Sequence, residues 1–159
     1  MALKGDRYEL QTDVSFFMNE VAERGGVVTL ASTSNPSGVA MDSAANVVTY
    51  VANPSGKVPL GILLNDMVNI DLTRQHINWH KDELQKGGKV TVLRKGYVVT
   101  NQIHNSGTPT AGAYAYIADS GLISTSTRAL FLDSGSQPLG RFLTAKDADG
   151  YAKVEINLP

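Results

Sequence analysis

The sequence contains no cysteine among its 159 residues. Disulfides, thiolate catalysis and cysteine-based zinc sites are therefore excluded. It also lacks any apolar run near the ~18 residues that a membrane-spanning helix needs. No apolar stretch follows Lys4 and Arg7 in the first ten residues, so the sequence predicts no secretory signal and a protein that is soluble where it is made.

Charge of either sign is scarce. The chain has 14 basic and 15 acidic residues, a net charge of −1, and a charged fraction of 18%, below the usual quarter. Nucleic-acid binders usually carry a basic excess that neutralises phosphates, so nucleic acid is not an expected partner. A chain with few charges that stays soluble often hides surface against protein partners. The length suits one domain without disulfide or metal staples.

Short β-branched runs, separated by scattered glycine and proline, predict a mainly β fold: a small β-barrel or β-sandwich. The clearest run is the last, in which apolar and polar residues alternate as in a half-buried strand. Gly96 follows Arg94 and Lys95 between two such runs, which predicts a tight hairpin there. The predicted strands are Val27–Ala31, Asn46–Ala52, Val58–Leu64, Lys89–Leu93, Tyr97–Gln102, Tyr114–Ala118, Arg141–Thr144 and Tyr151–Leu158.

Two stretches have the apolar spacing of short helices. Val14–Arg24 ends at a Gly-Gly pair, and Asp71–Lys86 ends at another. Residues 1–25 are predicted to form an N-terminal arm with a short helix, and residues 26–159 a single β-rich domain. The first dozen residues show no core pattern, so they are either a frayed terminus or an arm that orders on a neighbouring subunit.

A Gly-x-x-Pro-Leu-Gly-x-x-Leu segment occurs twice, at Gly56–Leu64 and at Gly135–Leu143. Each proline fixes φ and lacks a donor, which suits the start or edge of a strand. Each later glycine leaves room for a bulge or a close backbone approach. The repeat therefore predicts two loops that enter bent strands. It carries no chemistry of its own.

Residues with catalytic or metal-binding potential do not form a recognised motif. His76 and His80 lie four apart, near Asp82 and Glu83, but Ile77 replaces the glutamate that a metalloprotease helix needs. No Gly-x-Ser-x-Gly elbow is present. Asp147, Asp149 and Gly150 fit a turn better than a calcium loop. We expect no enzyme, no cofactor and no metal.

Tyr114 and Tyr116 are two residues apart and are expected to share a face of a sheet. Paired aromatic side chains on a sheet can stack bases or sugars. Because no basic residues surround this pair, a core or subunit contact is the favoured interpretation.

Long segments resemble the head decoration proteins of tailed bacteriophages, also called capsid cement or stabilisation proteins. The resemblance covers most of the chain and is weakest at Asn105–Thr110 and Ser124–Ser136, which are predicted to be variable loops. The segments that show the resemblance are Phe16–Gly26, Val58–Asp71, Thr73–Glu83, Gly87–Val92 and Gly140–Leu158.

The resemblance implies a structural virion protein, made in the cytoplasm of the host bacterium, that binds the outside of the expanded capsid and stabilises it against internal DNA pressure. The implied partners are the major capsid protein and further copies of the chain, with a trimer favoured and a dimer possible. No membrane partner is expected. The polar and aromatic composition near the N-terminus makes it the expected contact with the capsid or a subunit, through Arg7, Tyr8, Leu10, Phe16 and Phe17.

Three alternatives remain at this stage. The first is another β-rich virion component, such as a tail or head-fibre subunit. The second is a hydrolase of cell-envelope polysaccharide, which needs two convergent acids in a cleft. The third is an oligonucleotide-binding barrel, whose affinity would fall steeply with salt.

Overall fold

The computed structural model describes residues 2–18, 20–30, 47–50, 57–69, 83–105, 108–125 and 138–159. These residues form strands and a single 3-10 turn, Asp119–Gly121. The strands are β1 (Tyr8–Met18), β2 (Val27–Leu30), β3 (Val47–Thr49), β4 (Pro59–Leu63), β5 (Asp66–Val68), β6 (Glu83–Gln85), β7 (Lys89–Thr100), β8 (Tyr114–Ile117), β9 (Ile123–Ser124), β10 (Gly140–Phe142) and β11 (Ala152–Asn157).

Nine strands form one sheet in the order β1-β3-β2-β4-β7-β11-β10-β8-β9, and β1 also pairs with β7. The strands β1, β3, β2, β4 and β7 therefore close into a ring. Beyond β7 the sheet curls as well, since Ile123 of β9 forms a bridge with Ile103, just past the end of β7. Strands β5 and β6 form a separate parallel pair. The mainly β, barrel-like fold predicted from the sequence is confirmed.

The long strand β7 separates two apolar clusters. Val90 and Val92 belong to the smaller cluster, with Met18, Leu63 and Met67. Leu93 and Val98 belong to the larger one, which holds the fully buried Phe142 and the inward side chains of β11. One strand thus supplies side chains to both cores.

The repeated segment has the architecture that its sequence predicts. Pro59 begins β4 and Gly140 begins β10. A Cβ at Gly61 would overlap the carbonyl oxygen of Leu93, and one at Gly140 would overlap that of Glu155. The pairing of β4 with β2 also shifts register beside Gly61. Both glycines therefore allow a close approach of the neighbouring strand.

The predicted strands over 27–31, 58–64, 114–118 and 151–158 are confirmed as β2, β4, β8 and β11. The predicted hairpin at 94–96 is wrong, because β7 runs without a break from Lys89 to Thr100. Gly96, with φ of +140°, is needed for a different reason. A Cβ there would overlap the carbonyl oxygen of Tyr8 on the paired strand β1.

Both helix predictions fail where the structure describes the chain. Residues 14–18 belong to β1, which pairs with β7 instead of coiling into a helix. Residues 70–82 of the second predicted helix lie outside the described residues. Its final part is wrong, because Glu83–Gln85 form β6, in which Leu84 pairs with Met67.

The N-terminal residues pack against the same chain. Ala2 and Leu3 are buried, and Leu3 bridges Thr100 and joins the larger apolar cluster. The backbone N–H of Lys4 donates to the carbonyl of Val99, at 2.8 Å. Strand β1 then continues along β7. The division of the chain at residue 25 stays a prediction, but residues 8–18 lie in the common sheet.

Asp147 organises the turn that leads into β11, as the sequence predicts. Its carboxylate accepts hydrogen bonds from the backbone N–H groups of Asp149 and Tyr151, at 3.0 and 2.8 Å, and from the Lys4 ammonium at 2.8 Å. The Lys4 hydrogen bond, followed by that from Tyr151, lowers the pKa of Asp147 below its ordinary value of 3.8. A lowered pKa in the folded state stabilises the fold above the unfolded pKa, and this stabilisation is lost as the pH falls through the folded pKa.

Replacing Asp147 by asparagine is therefore expected to lower the melting temperature slightly at neutral pH, because the site is exposed to solvent. The difference from the wild type should close as the pH falls through the lowered folded-state pKa of Asp147, which lies below 3.8, because the wild-type carboxyl then also becomes neutral. Thermal unfolding followed by circular dichroism across this pH range measures the effect. Asp149→Asn, in the same turn, is the control. A difference that persists at low pH would contradict the charge-based explanation.

Candidate interaction surface

One outward row of side chains crosses five neighbouring strands. In register, Tyr114 of β8 pairs with Arg141 of β10, Arg141 with Glu155 of β11, Glu155 with Tyr97 of β7, and Tyr97 with Tyr8 of β1. We call these five residues the cross-strand row. With Tyr116, which lies beside Tyr114, this face of the sheet holds four of the six tyrosines in the chain.

The row faces outward at its centre because strands β10 and β11 alternate there. Glu155 and Arg141 are exposed, whereas Val154, Ile156 and Phe142 on either side of them are buried. Tyr8 is 53% exposed and Tyr114 is 49% exposed. Tyrosine and arginine are enriched at the energetically important centres of protein interfaces, so this face has the composition of a binding surface.

Ring contacts hold the row in place at both ends. At one end, the rings of Tyr8 and Tyr97 stack with centroids 5.9 Å apart, and the Lys153 ammonium lies 3.8 Å from the Tyr97 centroid. At the other end, the Arg141 guanidinium lies 5.0 Å from the centroid of Tyr114. These contacts already restrict the side chains in the unbound protein, so binding would cost less conformational entropy.

Tyr114 and Tyr116 share a face, as predicted, with ring centroids 6.4 Å apart. Arg141 also donates a hydrogen bond of 3.4 Å to the Tyr114 hydroxyl. Tyr114 is exposed and so does not lie in the core. Of the two predicted contacts, its outward position is compatible with the subunit contact.

An open groove of about 250 Å³ runs beside the row, between β1, β7 and β11. Its apolar rim is formed by Tyr8, Leu10 and Leu143, and Ile156 contributes to its lining. Leu10 is 66% exposed and Leu143 41% exposed. Lys95 and Glu155 add one charge of each sign to the lining. The groove therefore suits a protein surface with apolar projections better than a highly charged ligand.

The five contact residues predicted from the sequence do not form one cluster. Tyr8 lies in the row and Leu10 in the groove, while Arg7 forms an ion pair with Glu9 at 2.8 Å. Phe16 packs against the smaller apolar cluster. Phe17 is half-buried, with the Lys89 ammonium 5.6 Å from its ring centroid. Phe16 and Phe17 lie at the far end of β1, where it begins to pair with β3.

Sequence reasoning missed Arg141, Glu155, Tyr97 and Leu143 as surface candidates. They are far apart in the chain and become neighbours only through strand pairing. The one available signal was the alternation in the last strand, which places Lys153 and Glu155 on its polar face.

Within the described residues, no three or more His, Asp or Glu side chains gather closely enough to hold a metal ion. His76, His80 and Asp82 lie outside the described residues, and Glu83 lies in β6. No helix in the described part of the chain is long and apolar enough to span a membrane.

Comparison with known proteins identifies the family. Residues 14–157 match the model of a phage family described as structural cement protein (E217 gp24/Pam3 gp6). Searches of the curated proteins and of the solved structures found no match. The family match spans most of the chain, including every described strand after β1 and the last five residues of β1. The chain therefore belongs to the structural cement protein family of bacteriophages.

Proposed function

We propose that this protein binds the outer surface of the expanded capsid and stabilises it against the pressure of the packaged DNA. Membership of the cement family supports a structural, capsid-stabilising role within the virion. A protein that binds only the expanded lattice stabilises that state by mass action. Because the lattice repeats its binding site many times, modest contacts are sufficient when they act together. This role needs no chemistry, and we propose that the protein is not an enzyme.

The exposed apolar side chains of β1 carry this proposal. Tyr8, Leu10 and Val14 are 53%, 66% and 57% exposed, so this one strand presents three large apolar side chains to solvent. Exposed apolar surface that is concentrated in one place marks a site of association. We propose that Tyr8 and Leu10, with Arg7 at the edge, contact the major capsid protein. Phe16 and Phe17 are half-buried, so we propose that they contribute less to this contact than Tyr8 and Leu10 do.

The proposed assembly on the capsid is homo-oligomeric. The resemblance to decoration proteins favours a trimer, with a dimer as the alternative. Few charges and a net charge of −1 suit a protein whose contacts are with other protein chains rather than with DNA.

Replacing Leu10 by serine is expected to weaken capsid binding about tenfold, the loss of one well-placed apolar contact. Co-sedimentation of the purified protein with expanded and unexpanded capsids measures binding to each. The wild type should bind the expanded form selectively and to saturation. The control is Val58→Ser, because Val58 is 70% exposed but lies outside β1. Equal effects of the two substitutions, or no effect of either, would contradict the placement of the contact on β1.

Point substitutions are preferable to deletion of the residues before Val14. Such a deletion removes Ala2 and Leu3 from the core and part of β1 from the sheet. A loss of binding would then report unfolding as well as a missing contact.

A further inference from the structure

We infer that four residues of the cross-strand row, Tyr114, Arg141, Glu155 and Tyr97, form a two-fold interface between two copies of this chain. The inference concerns the homo-oligomer part of the proposed function, and its test needs no capsid. It begins with Arg141 and Glu155, which lie directly opposite each other on β10 and β11 and are both exposed.

These two opposite charges do not form an ion pair within the chain, as far as the described residues show. The Arg141 guanidinium turns instead towards Tyr114, 5.0 Å from the ring centroid and 3.4 Å from the hydroxyl. Glu155 lines the groove beside Tyr97. Both residues are exposed, so their charged groups are available to a partner.

The order of the row makes it self-complementary. Across β8, β10, β11 and β7 it runs tyrosine, arginine, glutamate, tyrosine. A second copy rotated by 180° about an axis between Arg141 and Glu155 presents the reverse order. Each arginine then faces the other chain's glutamate, and each Tyr114 faces the other chain's Tyr97. A two-fold interface uses one patch on both subunits, as this order requires.

The charge pattern favours a second copy over an unrelated surface as the occupant. A partner with a uniform acidic or basic patch would satisfy one of the two charges and repel the other. An inverted copy satisfies both and stacks aromatic side chains on either side of them, where ring pairs add to apolar burial. Because such an interface joins two subunits, it predicts a dimer in place of the trimer that the resemblance favours.

Charge reversal tests the pairing directly. The variants Arg141→Glu and Glu155→Arg are prepared separately, and circular dichroism confirms that each is folded. Analytical ultracentrifugation over a concentration series then gives the dimerisation constant of the wild type, of each variant and of an equimolar mixture of the two. Each variant alone should dimerise at least about 100-fold more weakly than the wild type, because two like-charge contacts replace two ion pairs. The mixture should form a heterodimer of near wild-type affinity, because opposite charges face each other again.

Three results would each overturn the inference: a wild type that stays monomeric throughout the series, single variants that dimerise as the wild type does, or single variants that lose dimerisation without rescue in the mixture. Capsid binding by Leu10→Ser is a separate measurement, so failure of the dimer and failure of the capsid contact are distinguishable. If the row instead binds the capsid, the wild type is monomeric in solution and both reversals weaken capsid binding, which also contradicts a dimer.

Discussion

Replacing Gly140 by alanine is expected to lower the free energy of unfolding by about 3 kcal/mol, the upper end of the usual range for overpacking. Gly140 lies between β8 and β11, pairing with both Ala115 and Ile156. The new Cβ would overlap the carbonyl oxygen of Glu155, which is backbone of the paired strand β11 and not the end of a flexible side chain. Urea denaturation followed by circular dichroism measures the loss.

The matched control is Gly5→Ala, because no atom lies within 4 Å of the position that its Cβ would occupy. Gly61→Ala, the equivalent position in the other copy of the repeat, should be destabilised like Gly140→Ala, since its Cβ would overlap the Leu93 carbonyl oxygen. If Gly140→Ala and Gly5→Ala were equally stable, the close strand approach described for the repeat would be wrong.

Replacing Leu3 by alanine is expected to cost about 3 kcal/mol, within the range for truncating a buried leucine. Leu3 is 2% exposed and packs in the same cluster as Phe142 and Val154. The N-terminal segment therefore contributes to the main core of the protein. The free energy of unfolding in urea gives the size of the effect.

Leu10→Ala is the matched control for Leu3, since it removes the same atoms from a side chain that is 66% exposed. Its stability should stay close to that of the wild type. Equal stability of Leu3→Ala and wild type would mean that the first residues act as a detached arm, which is the alternative that the sequence left open.

The sequence predicted the parts of the fold that depend on local patterns. Strand β11 alternates without interruption, and its inward residues Val154 and Ile156 are buried as expected. The two proline-glycine segments also entered strands as predicted, because proline fixes φ and glycine allows a close backbone approach wherever they occur.

Strand β1 was missed because its pairing is irregular. Between Asp13 and Phe16, β1 advances three residues while β7 advances two, from Val92 to Val90. Such an extra residue breaks the period of two that identifies a strand. The apolar spacing that remained resembled that of a helix.

The candidate surface was only partly predictable. Tyr8 and Leu10 were selected for their composition, and the structure places both beside one groove. Arg141 and Glu155 lacked any local signal, since their relation depends on the register between β10 and β11. The family resemblance came from long similar segments, and the match over residues 14–157 confirms it.

Stabilisation of the capsid is the most direct test of the proposed role. Expanded, DNA-filled heads that lack this protein are heated with increasing amounts of it, and DNA release is followed with an intercalating dye. The temperature of release should rise with occupancy and reach a plateau when the sites are full. Leu10→Ser should need more protein to reach the same plateau. Full occupancy without any rise in the release temperature, or no binding at all, would contradict the proposed function.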